Sequence, residues 1–151
     1  MEFLVVIVVL ILDRITKLWA LNILTKVPEI VILKNIFGFS YLENRGAAFG
    51  ILQNRVILLV VITFIVIAGV IYYFLRYKPN SRILKISIAL ILGGAVGNLF
   101  DRIFYGYVVD FILVHYRDIY YFPTFNVADV TVVIGTSLLA FYLIKEDGYG
   151  N

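Results

Sequence analysis

The chain has 151 residues, 62% of them hydrophobic and 15% charged, with a formal net charge of +3. Its mean hydropathy of +0.98 is that of an integral membrane protein, since soluble domains are only about 45–50% apolar. The lack of Cys and the single His exclude disulfides, thiol nucleophiles, Fe–S clusters and Cys-ligated zinc, and argue against a His-based metal site or a Ser/His/Asp triad.

The basic residues are scattered, so the surplus does not point to nucleic acid; in a membrane protein it sets orientation. No Ser/Pro/Gly-rich linker and no internal repeat divides residues 1–151, and a single membrane domain is expected. Residues 3–24 form the first predicted membrane helix, since about 20 apolar residues span a hydrocarbon core of roughly 30 Å. Neither a basic flank nor an A-x-A-like site accompanies the apolar start, so a cleavable signal peptide is not expected. Asp13 and Lys17 interrupt this helix four residues apart, on one face. Two readings stay open: an ion pair that neutralises two costly charges, or a polar face turned toward a site.

Residues 25–55 read differently. Pro28 and Gly38 punctuate them, and Ile30–Leu33 and Ile36–Leu42 favour strands. A small antiparallel β element at the membrane surface is expected. The run Asn44-Arg45-Gly46-Ala47-Ala48-Phe49-Gly50 is either a plain turn or a place where small residues let a peptide approach, with Asn44 as donor and acceptor.

Residues 56–75 carry no charge and form the second predicted span. The third span is 83–104, and residues 76–85 around the connection to it hold Arg76, Lys78, Arg82 and Lys85 without an acid. Gly93 and Gly97 give the third span a G-x-x-x-G surface for helix packing. Asn98, Asp101 and Arg102 fall on one stripe near its end, as a hydrogen-bonded network would require. Residues 105–125 leave the span through Gly106, carry Asp110, and continue into His115-Tyr116-Arg117-Asp118-Ile119-Tyr120-Tyr121-Phe122-Pro123. Tyrosines suit a membrane–water interface, and His115 reads as an interfacial or loop residue. Residues 126–144 form the fourth span, with Asn126 and Asp129 near its start. The fold class is therefore a mainly α four-transmembrane-helix bundle with a small antiparallel β element on the extracytoplasmic surface. The short basic loop belongs in the cytoplasm by the positive-inside rule, and both termini with it.

That topology brings Asp110 and Asp129 to one membrane surface. Two carboxylates in a partly desolvated site do not both ionise easily, so one keeps its proton. Such a pair supplies the base that activates water and the acid that protonates a carbonyl, and it needs no metal or cofactor. Proton relay in a transporter is the competing use of such acids, and a non-catalytic scaffold packed through Gly93 and Gly97 is a third. A relay needs polar groups at every depth, and the second span has none that is charged. A Ser/Lys peptidase is disfavoured because Ser81 and Ser87 fall on the cytoplasmic side and Ser40 and Ser137 lack a base nearby.

Five blocks, Asp13-Arg14-Ile15-Thr16-Lys17, Asn44 to Phe49, Gly93 to Arg102, Val108-Val109-Asp110-Phe111-Ile112 and Phe125-Asn126-Val127-Ala128-Asp129, resemble in order the motifs of the lipoprotein signal peptidase (signal peptidase II) family. The resemblance covers essentially the whole chain. It implies an intramembrane aspartic endopeptidase of the bacterial inner membrane, with Asp110 and Asp129 as the catalytic pair. It implies that Asp13, Lys17, Asn44, Gly94, Asn98, Arg102 and Asn126 support the site or the substrate, and Asp101 joins them through its stripe. The implied substrate is a prolipoprotein with a diacylglyceryl-modified cysteine, cut just before that cysteine. Membrane lipids are the implied surroundings and globomycin, a cyclic peptide, the implied inhibitor.

Overall fold

The computed structural model describes residues 2–47, 51–117 and 119–147, with side chains through 145. Ala48, Phe49 and Gly50 of the Asn44 block, Asp118, and Gly148 at the chain's C-terminal end lie outside the described residues. The elements in order are α1 (Glu2–Ile23), β1 (Ile30–Leu33), β2 (Phe37–Asn44), α2 (Val56–Tyr77), α3 (Arg82–Tyr105), β3 (Val108–Tyr116), β4 (Tyr120–Tyr121) and α4 (Val127–Asp147). The fold is mainly helical with one small antiparallel sheet.

The helix limits follow from local chemistry. Ser81 caps α3, accepting the Leu84 N–H, and Gly106 ends it at φ 76°, a left-handed conformation open to glycine. Lys78 ends α2 in the same region at φ 43°, and Pro79 follows, which cannot continue a helix. Three helices, Val56–Tyr77, Arg82–Tyr105 and Val127–Lys145, are long and apolar enough to cross a membrane. The 22-residue α1 matches them in length but carries Asp13, Arg14 and Lys17.

Helix α3 is the centre of the bundle and packs against α1, α2 and α4. Its small residues permit this. A methyl group at Gly93 would lie 2.8 Å from Val9 Cβ on α1, and one at Gly94 would overlap the Ala128 carbonyl of α4. By contrast, Leu59 is the buried residue of α2, whose other faces present residues such as Ile57 and Ile65 to the surroundings. Apolar surface of that extent is stable only against lipid or another apolar partner.

The sheet runs β1-β2-β3-β4, with antiparallel neighbours. It is wider than the β element expected over 25–55, because residues 108–116 are a strand as well. The run Val108-Val109-Asp110-Phe111-Ile112-Leu113-Val114 has no polar–apolar alternation, since nearly all of it is buried; such strands lack the period-2 signal. Trp19 of α1 sits edge-on to Phe39 and Phe111, at 5.2 and 6.0 Å between ring centres. With Ala20, Leu24 and Val109 they form the core that fixes the sheet to the end of α1. His115 lies on β3, stacked on Tyr121 at 5.0 Å.

Candidate active site

The start of α4 is set by its own polar residues. Asn126 Oδ1 accepts the Asp129 N–H at 2.9 Å, and Asp129 Oδ2 accepts the Asn126 N–H at 3.1 Å. This reciprocal pair is a capping box, which satisfies amides that the first turn leaves without partners. Asp129 is thereby held half-buried at the helix N-terminus.

Asp110 comes from the sheet. Between the pairs Phe39↔Ile112 and Leu42↔Asp110, β2 carries one extra residue relative to β3. A bulge of this kind reverses which face the following residues occupy, and it brings Asn44 diagonally across from Asp110. Asn44 Nδ2 then donates to Asp110 Oδ2 at 2.9 Å. The other oxygen, Oδ1, accepts from Asn126 Nδ2 at 2.7 Å. Among the described residues Asn126 is the one side chain bonded to both aspartates.

Three asparagine side chains are aimed by the same device. Each carbonyl is held by a donor: Asn44 by the Gly46 N–H (2.9 Å), Asn126 by the Asp129 N–H, and Asn98 by Lys17 Nζ (3.0 Å). Each amide therefore points its hydrogens at a carboxylate. Asn44 and Asn126 face Asp110, and Asn98 donates to Asp129 Oδ1 at 2.7 Å. Asn126 Nδ2 also reaches Asn98 Oδ1 at 3.2 Å, which closes the network.

Behind the asparagines is a buried charge cluster. Lys17 pairs with Asp13 at 2.9 Å and Asp101 at 3.0 Å, and Arg14 approaches the other oxygen of Asp101 at 3.3 Å, within ion-pair range. Buried charges persist only when paired this way. Asp13 Oδ1 accepts the Ala128 N–H and Asp101 Oδ2 accepts the Val109 N–H, both at 3.1 Å.

Asp110 is 1% exposed. Burial, and then the charge of Asp129, push its carboxyl up to about 7, against the opposing pull of the Asn44 and Asn126 donors and of Lys17. At neutral pH this carboxyl is close to half protonated. The arrangement thus joins a carboxyl that keeps a proton near neutral pH to a second carboxyl through Asn126, the two groups that acid–base chemistry at a carbonyl requires. Among the described residues no group of three or more His, Cys, Asp or Glu side chains could hold a metal ion.

The structure brings Asp110, Asp129, Asn44, Asn98, Asn126, Lys17, Asp13 and Asp101 into one connected network. Asp101 does not face the aspartate pair; it turns to Lys17 and Arg14 on α1, although it shares a stripe with Asn98. Arg102 joins at one remove, donating to the Gly46 carbonyl at 3.0 Å and so tying down the turn after Asn44. Gly94 supplies no polar group and instead gives room for the Ala128 carbonyl. Asn44 has both ends of its amide engaged, with Asp110 and Gly46, which leaves it a support of Asp110 in this conformation. Arg14 lies outside the site residues expected from the sequence, yet an arginine amid apolar residues is costly enough to signal a buried partner, here Asp101.

The comparisons agree with one another. The family described as Signal peptidase (SPase) II matches residues 5–145. A lipoprotein signal peptidase of Clostridium novyi (strain NT) is 59% identical, covering 97% of this chain and 99% of its own. The lipoprotein signal peptidase of Halothermothrix orenii is 42% identical over the full length of both chains. Among solved structures, a bacterial membrane enzyme determined by the in meso method at 2.3 Å resolution superposes with a TM-score of 0.89 at 29% identity, covering 99% of this chain and 91% of that one. With a family match over nearly the whole chain and relatives this similar, the chain belongs to the signal peptidase II family.

Proposed function

We propose that this chain is an intramembrane aspartic endopeptidase that removes the signal peptide from diacylglyceryl-modified prolipoproteins, cutting just before the lipidated cysteine. The observation that carries the reading is the bridging of Asp110 and Asp129 by Asn126, on a chain of this family. In this reading Asp110 and Asp129 are the catalytic pair. Asp110 holds the proton and donates it to the scissile carbonyl oxygen. Asp129 takes a proton from the attacking water, and the leaving amine is protonated as the tetrahedral intermediate collapses. Asn44, Asn98 and Asn126 hold the two carboxyls, and Asp13, Lys17, Asp101, Arg102 and Gly94 hold the asparagines and the helices that carry them.

The membrane arrangement follows from the same reading. All four helices cross the bacterial inner membrane as a single domain, α1 with its charges turned inward against α3. The sheet lies on the extracytoplasmic surface, and both termini are cytoplasmic. A signal peptide is an apolar helix with its cut site near the outer interface, and acyl chains on the cysteine keep the scissile bond at that depth. Asp110 and Asp129 wait there. On this reading globomycin-type cyclic peptides block the enzyme, as they do its family.

The test is cleavage of a synthetic diacylglyceryl prolipoprotein by the purified protein in lipid. The wild type is expected to cut before the cysteine and to be blocked by globomycin. Asp110→Asn and Asp129→Asn are expected to fold and not to cut. Cleavage at the wild-type rate by either variant would sink the assignment.

A further inference from the structure

Lys17 is wholly buried, and its three ammonium hydrogens meet three acceptors: Asp13 Oδ2, Asp101 Oδ2 and Asn98 Oδ1. Each acceptor also holds part of the aspartate pair. The second oxygen of Asp13 takes the N–H of Ala128, the residue before Asp129. Asp101 takes the N–H of Val109, the residue before Asp110. Asn98, with its carbonyl fixed by Lys17, gives its amide to Asp129.

We propose that Lys17 is the positioning residue of the aspartate pair, setting through three acceptors the backbone approach to Asp110 and Asp129 and the orientation of the Asp129 carboxyl. The proposal rests on the reading of Asp110 and Asp129 as the catalytic pair. An ammonium that merely neutralised Asp13 would need one acceptor, four residues away on its own helix. Here every group it touches leads to one aspartate or the other. Lys17 itself contacts neither carboxyl, so it acts through its neighbours. An arginine cannot substitute, because its planar fork does not present three converging donors from one atom.

The experiment compares the wild type with Lys17→Met and with Lys17→Met/Asp13→Asn. In the second variant the lost cation is matched by a lost anion, Asp101 keeps Arg14, and an asparagine oxygen remains for the Ala128 N–H. The charged groups around the cluster are Asp13 and Arg14 on α1, Asp101 and Arg102 on α3, Asp110 on β3 and Asp129 on α4. On the lipidated precursor, kcat is expected to fall about 100-fold, the loss typical of a small misplacement of reacting groups, with KM unchanged. In Lys17→Met the alkaline limb of the kcat–pH profile is expected to move to higher pH, since a positive charge near the pair has gone; in Lys17→Met/Asp13→Asn, where an anion goes with it, the limb is expected to move less while kcat falls as far, which separates positioning from charge. An unchanged kcat in either folded variant overturns the proposal. If neither variant folds, residue-level hydrogen exchange in the wild type decides. The Ala128 N–H, in the first turn of α4, has no intrahelical partner, and the Val109 N–H on β3 goes to Asp101, so slow exchange at both supports the proposal and free exchange at either overturns it. A wild type that does not cut the precursor refutes the proposed function instead, which separates the two failures.

Discussion

The carbonyl of Asn126 caps α4 while its amide holds Asp110, and the two roles can be separated by substitution. Serine caps a helix as well as asparagine does but has no amide to give. Asn126→Ser is therefore expected to unfold within a few degrees of the wild type while its kcat falls about 100-fold, as when one donor is removed from a preorganised polar site. A kcat near that of the wild type would mean that Asn126 serves the helix alone. The pH dependence follows from Asp110. Its folded value, about 7, is raised above the ordinary 3.8. Activity is expected to fall as pH rises through about 7, when the proton donor is lost. A raised value also means that this group's contribution to stability is full below pH 3.8 and is lost as pH rises through about 7. Thermal unfolding across that window should show the decline in the wild type and not in Asp110→Asn. The sequence made both aspartates legible because a carboxylate in an apolar run needs a reason. It did not show that Asp101 serves Lys17: spacing along a helix gives a residue's direction, while the partner in that direction depends on which helix packs there.

Helix α3 meets α1 and α4 through glycines, and the cost of filling each one is specific to its neighbours. A methyl at Gly94 would overlap the Ala128 carbonyl and lie 2.6 Å from Thr131 Oγ1, so α4 would have to move at the turn that carries Asp129. Gly94→Ala is expected to cost about 1–3 kcal/mol, as overpacking does, and to lower kcat as well. Gly69 on α2 has nothing within 4 Å of an added methyl. Gly69→Ala is expected to be neutral or to stabilise by up to about 1 kcal/mol through helix propensity, with activity unchanged. Thermal unfolding and cleavage of the lipidated precursor measure both; equal effects of the two substitutions would remove the packing argument. The helices were legible because long apolar runs and their stop signals are local. Strand β3 was hidden because a strand buried on both faces loses its alternation. The bulge in β2 that aligns Asn44 with Asp110 depends on strand pairing across distant parts of the chain, and no local signal announces it.

At the scale of the molecule, the buried polar groups of the described residues, Ser87 near the start of α3 apart, belong to the one network where α1 and α3 meet the start of α4. Proton relay through the bilayer has no support in this distribution, since α2 contributes only Leu59 to the buried set. The remaining question is which side of the membrane that network faces. Residues 76–85, the end of α2, the loop after it and the start of α3, hold Arg76, Lys78, Arg82 and Lys85 and no Asp or Glu, whereas Glu29 and Glu43 offset the cations of residues 25–55. Short basic loops stay in the cytoplasm, and the proposed orientation, with the sheet and both aspartates outward, rests on that rule. The chain has no cysteine, so single cysteines can be introduced without a background. Lys34 in the β1–β2 turn and Asn80 in the α2–α3 loop are both exposed. A membrane-impermeant maleimide should label Lys34→Cys in intact cells (spheroplasts where an outer membrane is present) and Asn80→Cys only after permeabilisation. The reverse pattern would put the aspartate pair in the cytoplasm. An exported precursor presents its cut site at the other surface, so that orientation is incompatible with the proposed reaction whatever the geometry of the pair.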